Sequence, residues 1–347
     1  MKADSNGSEN PTMRDVASAA GVAPVTVSRY LNNRNLVSAR SQAKIDAAIK
    51  KLNYVPHAAA RALASNRSRM IGAVMPSLDS SLFGRTLEVF QEHISTAGYN
   101  MMLASNSYNL EKEAEHITQM VSHGMEALLL VGQSRDQHLY DLLKAKKIPY
   151  VLAWTVDNTF EHPCIGFDNH MAASLVTQYL LQLGHTQFAL ISGYTKENDR
   201  AYYRYKGVQD NLAQKGLTLL EANFIQTSFS VTEGRKAFRK LMSAKQKPTA
   251  IICGSEPFAY GAIFEANKMG INIPKEVSIV GFDDMALASN ITPQITTVRT
   301  PQEQMGLLAA KYLIARLNHE ECPLPEPLDV ELVVRESSAP PPQSNGS

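Results

Sequence analysis

From residue 70 onward the chain alternates. Short apolar runs rich in β-forming residues recur at Met70–Met75, 99–104, Ala127–Val131, Tyr150–Ala153, 188–191, Ala250–Cys253 and 278–282, with amphipathic stretches of helical spacing between most of them. Continuous apolar strands alternating with helices predict parallel sheets covered by helices on both faces. The array is long enough for two such lobes. Ligands of open α/β sheets bind beyond the carboxyl ends of the strands, which places a candidate site in the cleft between the lobes.

The segment before residue 70 is of another kind. Between Thr12 and Arg69 ten Lys/Arg face only Asp15 and Asp46, a net +8 that leaves −7 for the remainder of a chain whose total is +1. A small basic head on a mildly acidic body suits a polyanion partner.

The pattern inside the head narrows that reading. Thr12 and Asp15 sit at N-cap and N3 of a first helix, with Val16, Ala17 and Ala20 at helical spacing behind them. Gly21 breaks the helix and Pro24 opens a second one, over 24–32. Its Val27 and Leu31 share one face; Val25, Thr26, Ser28 and Arg29 lie on the other. A third helix follows Ser38, with Ile45, Ala48, Ile49 and Leu52 as its apolar stripe. Two short helices about a glycine turn, closed by a third, predict a helix-turn-helix whose second helix enters the major groove of double-stranded DNA. Arg29 can donate twice to guanine or hold a phosphate. Pro24 and Val25 can make only apolar contact, as with a thymine methyl, while Thr12, Ser28 and Asn32 are candidates for phosphate contacts that set register.

These residues carry a resemblance. Asp15 to Val22 (DVASAAGV), Thr26 to Arg29 (TVSR), Leu31-Asn32, Tyr54-Val-Pro56, Ala60 to Leu63 (ARAL), Ile71-Gly72 and Val280 to Asp284 (VGFDD) are similar to the lactose/galactose repressor family, over about residues 12–335. The resemblance implies an all-α helix-turn-helix head on a two-lobed, periplasmic-binding-protein-like α/β body with parallel sheets. It implies a homodimeric regulator, mostly a repressor, that binds a palindromic operator and responds to a small-molecule effector. Release by the effector is expected; corepression shares the same linkage with opposite sign and stays open. The implied boundaries are a disordered start at 1–11, the head at 12–55, a hinge helix and linker at 56–69, and an effector and dimerisation domain at 70–338. Its N-lobe takes about 70–167 and 300–327, and its C-lobe about 168–299 and 328–338. A Pro/Ser-rich tail at 339–347 is expected to be disordered.

Within the linker, Leu63 matches the family's lever residue, an apolar wedge between bases of the minor groove. His57 stands where the family usually has Asn, and Ala23 where it usually has Ser, which removes an N-cap hydroxyl. In the body, Arg204-Tyr-Lys-Gly207 resembles the family's R-x-x-G, whose Arg holds the effector. Arg200 falls one helical turn earlier. Asp283 matches the family's effector-binding Asp, and Phe83, Trp154 and Phe229 fall at positions that line the site. Ser255-Glu256 stands where sugar-binding members often carry Asn-Asp. Two guanidiniums in one cleft favour a planar anion, so a sugar acid or sugar phosphate is the expected effector.

Other classes lack their signatures. No GxGxxG, GxxxxGK[ST], GxSxG or HExxH occurs, so no catalytic residue, cofactor or metal is expected. Cys164, Cys253 and Cys322 match no disulfide or metal spacing and read as buried free thiols in a reducing cytoplasm. No apolar run is long enough to span a membrane, and the first ten residues hold no export signal, which disfavours a secreted solute-binding protein. The C-terminal PPPQSNGS has no leucine heptads for tetramerisation, so a dimer is expected.

Overall fold

The structure, a computed structural model, describes residues 11–55, 67–78, 82–157, 159 and 161–343. His57, Leu63, most of the expected linker and residues 344–347 lie outside the described residues, as does the side chain of Asn32. The chain forms two compact units, divided between Ser68 and Arg69.

The first unit is all-α. Helices α1 (Met13–Ala20), α2 (Pro24–Asn32) and α3 (Ala39–Leu52) surround Val16, Ala17, Ala20, Val27, Tyr30, Val37, Ile45 and Ala48. Helices of eight or nine residues are marginal in water, so this shared core sustains them. Local chemistry sets where they start and stop. Thr12 and Asp15 form the reciprocal capping box, Gly21 ends α1 in the left-handed region (φ 62°), and Ser38 caps α3. Ala23 offers α2 no side-chain cap.

The second unit carries two sheets. Strands β1 (Met70–Met75), β2 (Asn100–Ser105), β3 (Ala127–Val131), β4 (Tyr150–Ala153) and β5 (Cys164–Ile165) form a parallel sheet of order β2-β1-β3-β4-β5. Helices α4 (Gly84–Thr96), α5 (Leu110–Ser122) and α6 (Gln137–Ala145) connect its strands. Next come α7 (Asn169–Gln182), β6 (Phe188–Ser192), α8 (Asp199–Gln214), β7 (Phe224–Gln226), α9 (Val231–Met242), β8 (Ala250–Cys253), α10 (Glu256–Met269), β9 (Ser278–Asp283), β10 (Thr296–Arg299), α11 (Gln302–Leu317) and β11 (Glu331–Val333). Their strands make a six-stranded sheet, β11-β10-β9-β8-β6-β7. The chain returns to the first lobe for α11, which packs on α4, and back to the second for β11. Three crossings between lobes make a hinge.

Several expectations change in detail. The second sheet is not wholly parallel, because β11 runs antiparallel to β10. Four strands, β5, β7, β10 and β11, were not expected; each has two to four residues, too short to show a period. The tail also departs from expectation at its start. The backbone N–H of Ala339 donates to Ser278 Oγ (3.0 Å), and its carbonyl contacts His185 Nε2 (2.9 Å), so the chain is held against the second lobe there. The three cysteines are free, but only Cys253 is fully buried. Among the described residues no helix is long and apolar enough to cross a membrane.

Inside the second lobe, α8 lies hard against α7. A Cβ at Gly207 would sit 2.4 Å from the carbonyl oxygen of His170, so only glycine allows this approach. The glycine of the R-x-x-G segment thereby seats the helix that carries Arg204.

Candidate functional site

In the head, α2 turns Val27 and Tyr30 inward and leaves Pro24, Val25 and Arg29 exposed, Val25 at 56%. Thr26 and Ser28 are half-buried beside them. Among the described residues Arg29 forms no ion pair, and it stands exposed on the outer face of α2. Arg34 is engaged: it bonds Tyr30 and pairs with Asp46 at 2.6 Å, pinning the end of α2 to α3. Tyr30 and Arg34 were missed in sequence because their roles depend on α3. The hydroxyl of Thr12 is used within the capping box, donating to Asp15 Oδ2 at 2.7 Å. The same contacts with Thr12 hold the Asp15 carboxyl below its ordinary range.

In the body, Phe83, Trp154, Arg200, Arg204, Phe229, Ser255 and Asp283 all line one small cavity between the two sheets. They arrive from different strand ends: Phe83 after β1, Trp154 after β4, Arg200 and Arg204 on α8 after β6, Phe229 after β7, Ser255 after β8, and Asp283 closing β9. The cavity measures about 30 Å³, room for about two waters. Aromatic rings crowd it. Phe83 meets Trp154 edge to face at 4.8 Å, and Phe229 stacks on Phe258 at 5.3 Å.

Two polar atoms in this cavity are buried without a hydrogen bond among the described residues: Trp154 Nε1, a donor, and Asp283 Oδ1, an acceptor. Both residues hold positive φ, 61° and 101°, which side-chain-bearing residues rarely adopt. Unsatisfied groups on strained backbone are what a binding site keeps for its ligand. Arg204 Nη2 lies 3.6 Å from Asp283 Oδ1, and Ser255 Oγ 3.5 Å from Oδ2. Burial raises the Asp283 carboxyl despite Arg204, and burial lowers the Arg204 guanidinium despite Asp283.

Neither guanidinium is free. Arg204 Nε donates to Asn169 Oδ1 (2.9 Å), Nη1 donates to the Gly254 carbonyl (2.7 Å), and its Cζ lies 4.1 Å from the Phe282 ring centre. Arg200 pairs with Asp199 at 3.0 Å. That pair fits against the first lobe because residue 132 is glycine at φ 72°, where a Cβ would overlap Arg200. Asp199 reaches across the lobes, accepting from the Gln133 N–H (3.1 Å) and the Thr155 hydroxyl (2.9 Å).

Glu256 turns away from the cavity. It is fully buried, accepts from Tyr260, Thr297 and the Met285 N–H, and is pushed up to about 8 by burial and the nearby Asp283 charge. Tyr108, absent from the sequence reading, enters the cavity from beyond β2 and stacks on Phe229 at 4.5 Å. The residue is 37% exposed, yet its phenol is pushed up to about 12 by burial, with the Asp283 charge adding to the rise and Arg200 and Arg204 opposing it. The available signal was its place, just past the end of a parallel strand. Among the described residues no cluster of His, Cys, Asp and Glu is placed to hold a metal ion.

Comparison with known proteins agrees with this division. Residues 12–57 match the family of bacterial regulatory proteins, lacI family, and residues 177–338 match a periplasmic binding protein-like domain. The chain is 30% identical over 318 residues to the HTH-type transcriptional repressor PurR of Proteus mirabilis, covering 88% of this chain and 90% of that protein. It is 29% identical over 312 residues to catabolite control protein A of Priestia megaterium, covering 90% and 94%. The lac repressor dimer bound to operator and an anti-inducer shares the fold at a TM-score of 0.83 and 24% identity, covering 95% of this chain and all of that one. The relatives are regulators rather than enzymes, and the chain belongs to the lacI family of bacterial transcriptional regulators, with a helix-turn-helix head and a two-lobed effector-binding body.

Proposed function

We propose that this protein is a cytoplasmic repressor that binds a two-fold symmetric operator as a homodimer and is released by a small hydroxylated effector held between the lobes. The exposed Pro24, Val25 and Arg29 at the start of α2 support base reading by that helix. Thr26 and Ser28 flank them for backbone contacts, joined by Thr12 and Asn32 in the family's manner. His57 and Leu63 are proposed minor-groove contacts on the same grounds of resemblance.

The observation that carries the effector reading is the pair of buried, unbonded atoms Trp154 Nε1 and Asp283 Oδ1 in one cavity. A hydroxyl can accept from the first and donate to the second, satisfying both. Arg204, Ser255, Arg200, Phe83 and Phe229 complete the proposed site. The expected acidic effector loses support here. Arg200 is answered by Asp199 and Arg204 by Asp283, and Asp283 repels a second anion. The four charges cancel, which favours a neutral sugar.

Lobe closure on the effector and operator affinity are then linked. The test uses full-length protein and operator fragments selected from random duplexes. Fluorescence anisotropy should show steep weakening between low and moderate salt, and release on adding a neutral sugar. Binding insensitive to salt would sink the DNA reading. Release only by sugar acids or sugar phosphates would restore the anionic effector, and tightening on sugar addition would make the ligand a corepressor.

A further inference from the structure

One surface of the body opposes the charge of the rest. Beyond the basic head the chain is −7, yet from Ser230 to Pro248 six Lys/Arg stand against a single acidic residue, Glu233. They are Arg235, Lys236, Arg239, Lys240, Lys245 and Lys247. Arg239 and Lys240 occupy the last turn of α9, where cations suit the negative end of the helix. Arg235 and Lys236 lie one turn earlier, and Lys245 and Lys247 are exposed in the loop beyond, so the helix dipole does not account for the cluster.

Part of this cluster is held in place. Helix α9 is pressed onto α10: a Cβ at Gly234 would lie 2.6 Å from the Phe258 carbonyl oxygen. The contact brings Glu265 of α10, its side chain only 1% exposed, to Arg235 and Arg239. Glu265 Oε2 accepts from Arg235 Nε at 2.9 Å, and Oε1 accepts from Arg239 Nε at 2.8 Å. One buried carboxylate thus fixes two guanidiniums four residues apart, about 6 Å along the helix. Among the described residues, Arg235 Nη1 and Nη2 and Arg239 Nη1 form no hydrogen bond, although both side chains reach solvent.

A groove of about 580 Å³ runs past these groups, within the ordinary range for a binding site. Lys236 and Lys240 line it with the two arginines, and Thr232 and Ser243 add hydroxyls. Lys236 pairs with Glu233 at 2.7 Å. Among the described residues no aromatic or aliphatic side chain lines the groove. Bases therefore find no stacking platform there, and a lipid surface meets no apolar face. Carboxylates do fit, because a guanidinium pairs with them bidentately. Two carboxylates on one face of a helix at i, i+4 share the spacing of about 6 Å.

We propose that this groove on α9 docks an acidic segment of a partner protein, with two carboxylates on Arg235 and Arg239 and further acidic groups on Lys236 and Lys240. The groove shares no residue with the cavity between the sheets, so the body can receive a protein signal apart from its effector.

The experiment is fluorescence anisotropy of labelled octaglutamate with the full chain at about 0.15 M ionic strength, with excess duplex DNA present to occupy the basic head. Octaglutamate should bind saturably, and octaglutamine should not. Lys236→Glu combined with Lys240→Glu alters two exposed lysines and leaves the Glu265 clasp in place; it should weaken the peptide at least about tenfold. Lys144→Glu combined with Lys146→Glu makes the same charge change at the end of α6 and should leave affinity unaltered. Equal weakening by both pairs would reduce the effect to net charge and overturn the proposal. Binding that disappears when duplex is added would overturn it by placing the peptide on a nucleic-acid surface. Displacement by inorganic phosphate at equal concentration would overturn it in favour of a small-anion site, and absence of binding would overturn it outright.

Discussion

Asp199 Oδ2 accepts a hydrogen bond from the Thr155 hydroxyl at 2.9 Å, joining the first turn of α8 in one lobe to the segment after β4 in the other. The same carboxylate accepts from the Gln133 N–H, and the Asp199 N–H donates to Ser134 Oγ at 3.0 Å. This carboxylate is a charged latch between the two lobes. Hydrogen bonds to charged groups contribute about 1.5–3 kcal/mol each. Asp199→Ala should therefore shift the lobe equilibrium at least about tenfold toward separation. Small-angle scattering should report a larger radius of gyration, and Trp154 emission should move to the red. Unchanged scattering would mean that the hinge, rather than Asp199, sets closure.

Glu256 should make stability fall as pH rises. Its carboxyl is raised to about 8 in the fold against 4.5 for an ordinary glutamate. Between those values the folded chain keeps a proton that the unfolded chain has lost, so unfolding free energy declines with pH across that window. Glu256→Gln keeps an acceptor for the Met285 N–H and cannot ionise. Its melting temperature should show a flatter slope from about pH 5 to 8 than that of the parent. An equal slope would move the titration to another group.

Arg204 and Asp283 should be strongly coupled in stability. Arg204→Met leaves the Asp283 carboxylate buried without its cation, which costs about 3–5 kcal/mol. Adding Asp283→Asn removes the uncompensated charge. Urea unfolding should find the double variant more stable than Arg204→Met alone, while both lose the response to effector. Additive losses would show that packing on Phe282, 4.1 Å from the guanidinium, dominates.

Arg29→Ala should weaken operator binding by about 1–3 kcal/mol and relax sequence preference if the side chain reads a base. A uniform loss across sequences, with a salt slope reduced by about one, would identify a phosphate contact instead. Arg34→Ala should act differently, lowering the stability of the head because it removes the cation from the Tyr30–Asp46 hydrogen bond.

The head was legible in sequence because its signals are local. Thr12 meets Asp15 three residues on, Gly21 and Pro24 punctuate the turn, and each device acts within one helical turn. The alternation of strand and helix was legible too, since buried parallel strands read as continuous apolar runs. With it, the family resemblance pointed to Phe83, Trp154, Arg200, Arg204, Phe229, Ser255 and Asp283, and these line one cavity. What the tertiary structure decided was how distant groups answer one another. Arg200 is adjacent to Asp199, yet only the fold brings that carboxylate to Thr155. Arg204 and Asp283 are far apart in the chain and 3.6 Å apart in space. Whether a guanidinium is free for a ligand depends on such pairings, and so does the charge of the ligand the cleft favours. Composition and spacing record which charges are present; only packing records which of them are already neutralised.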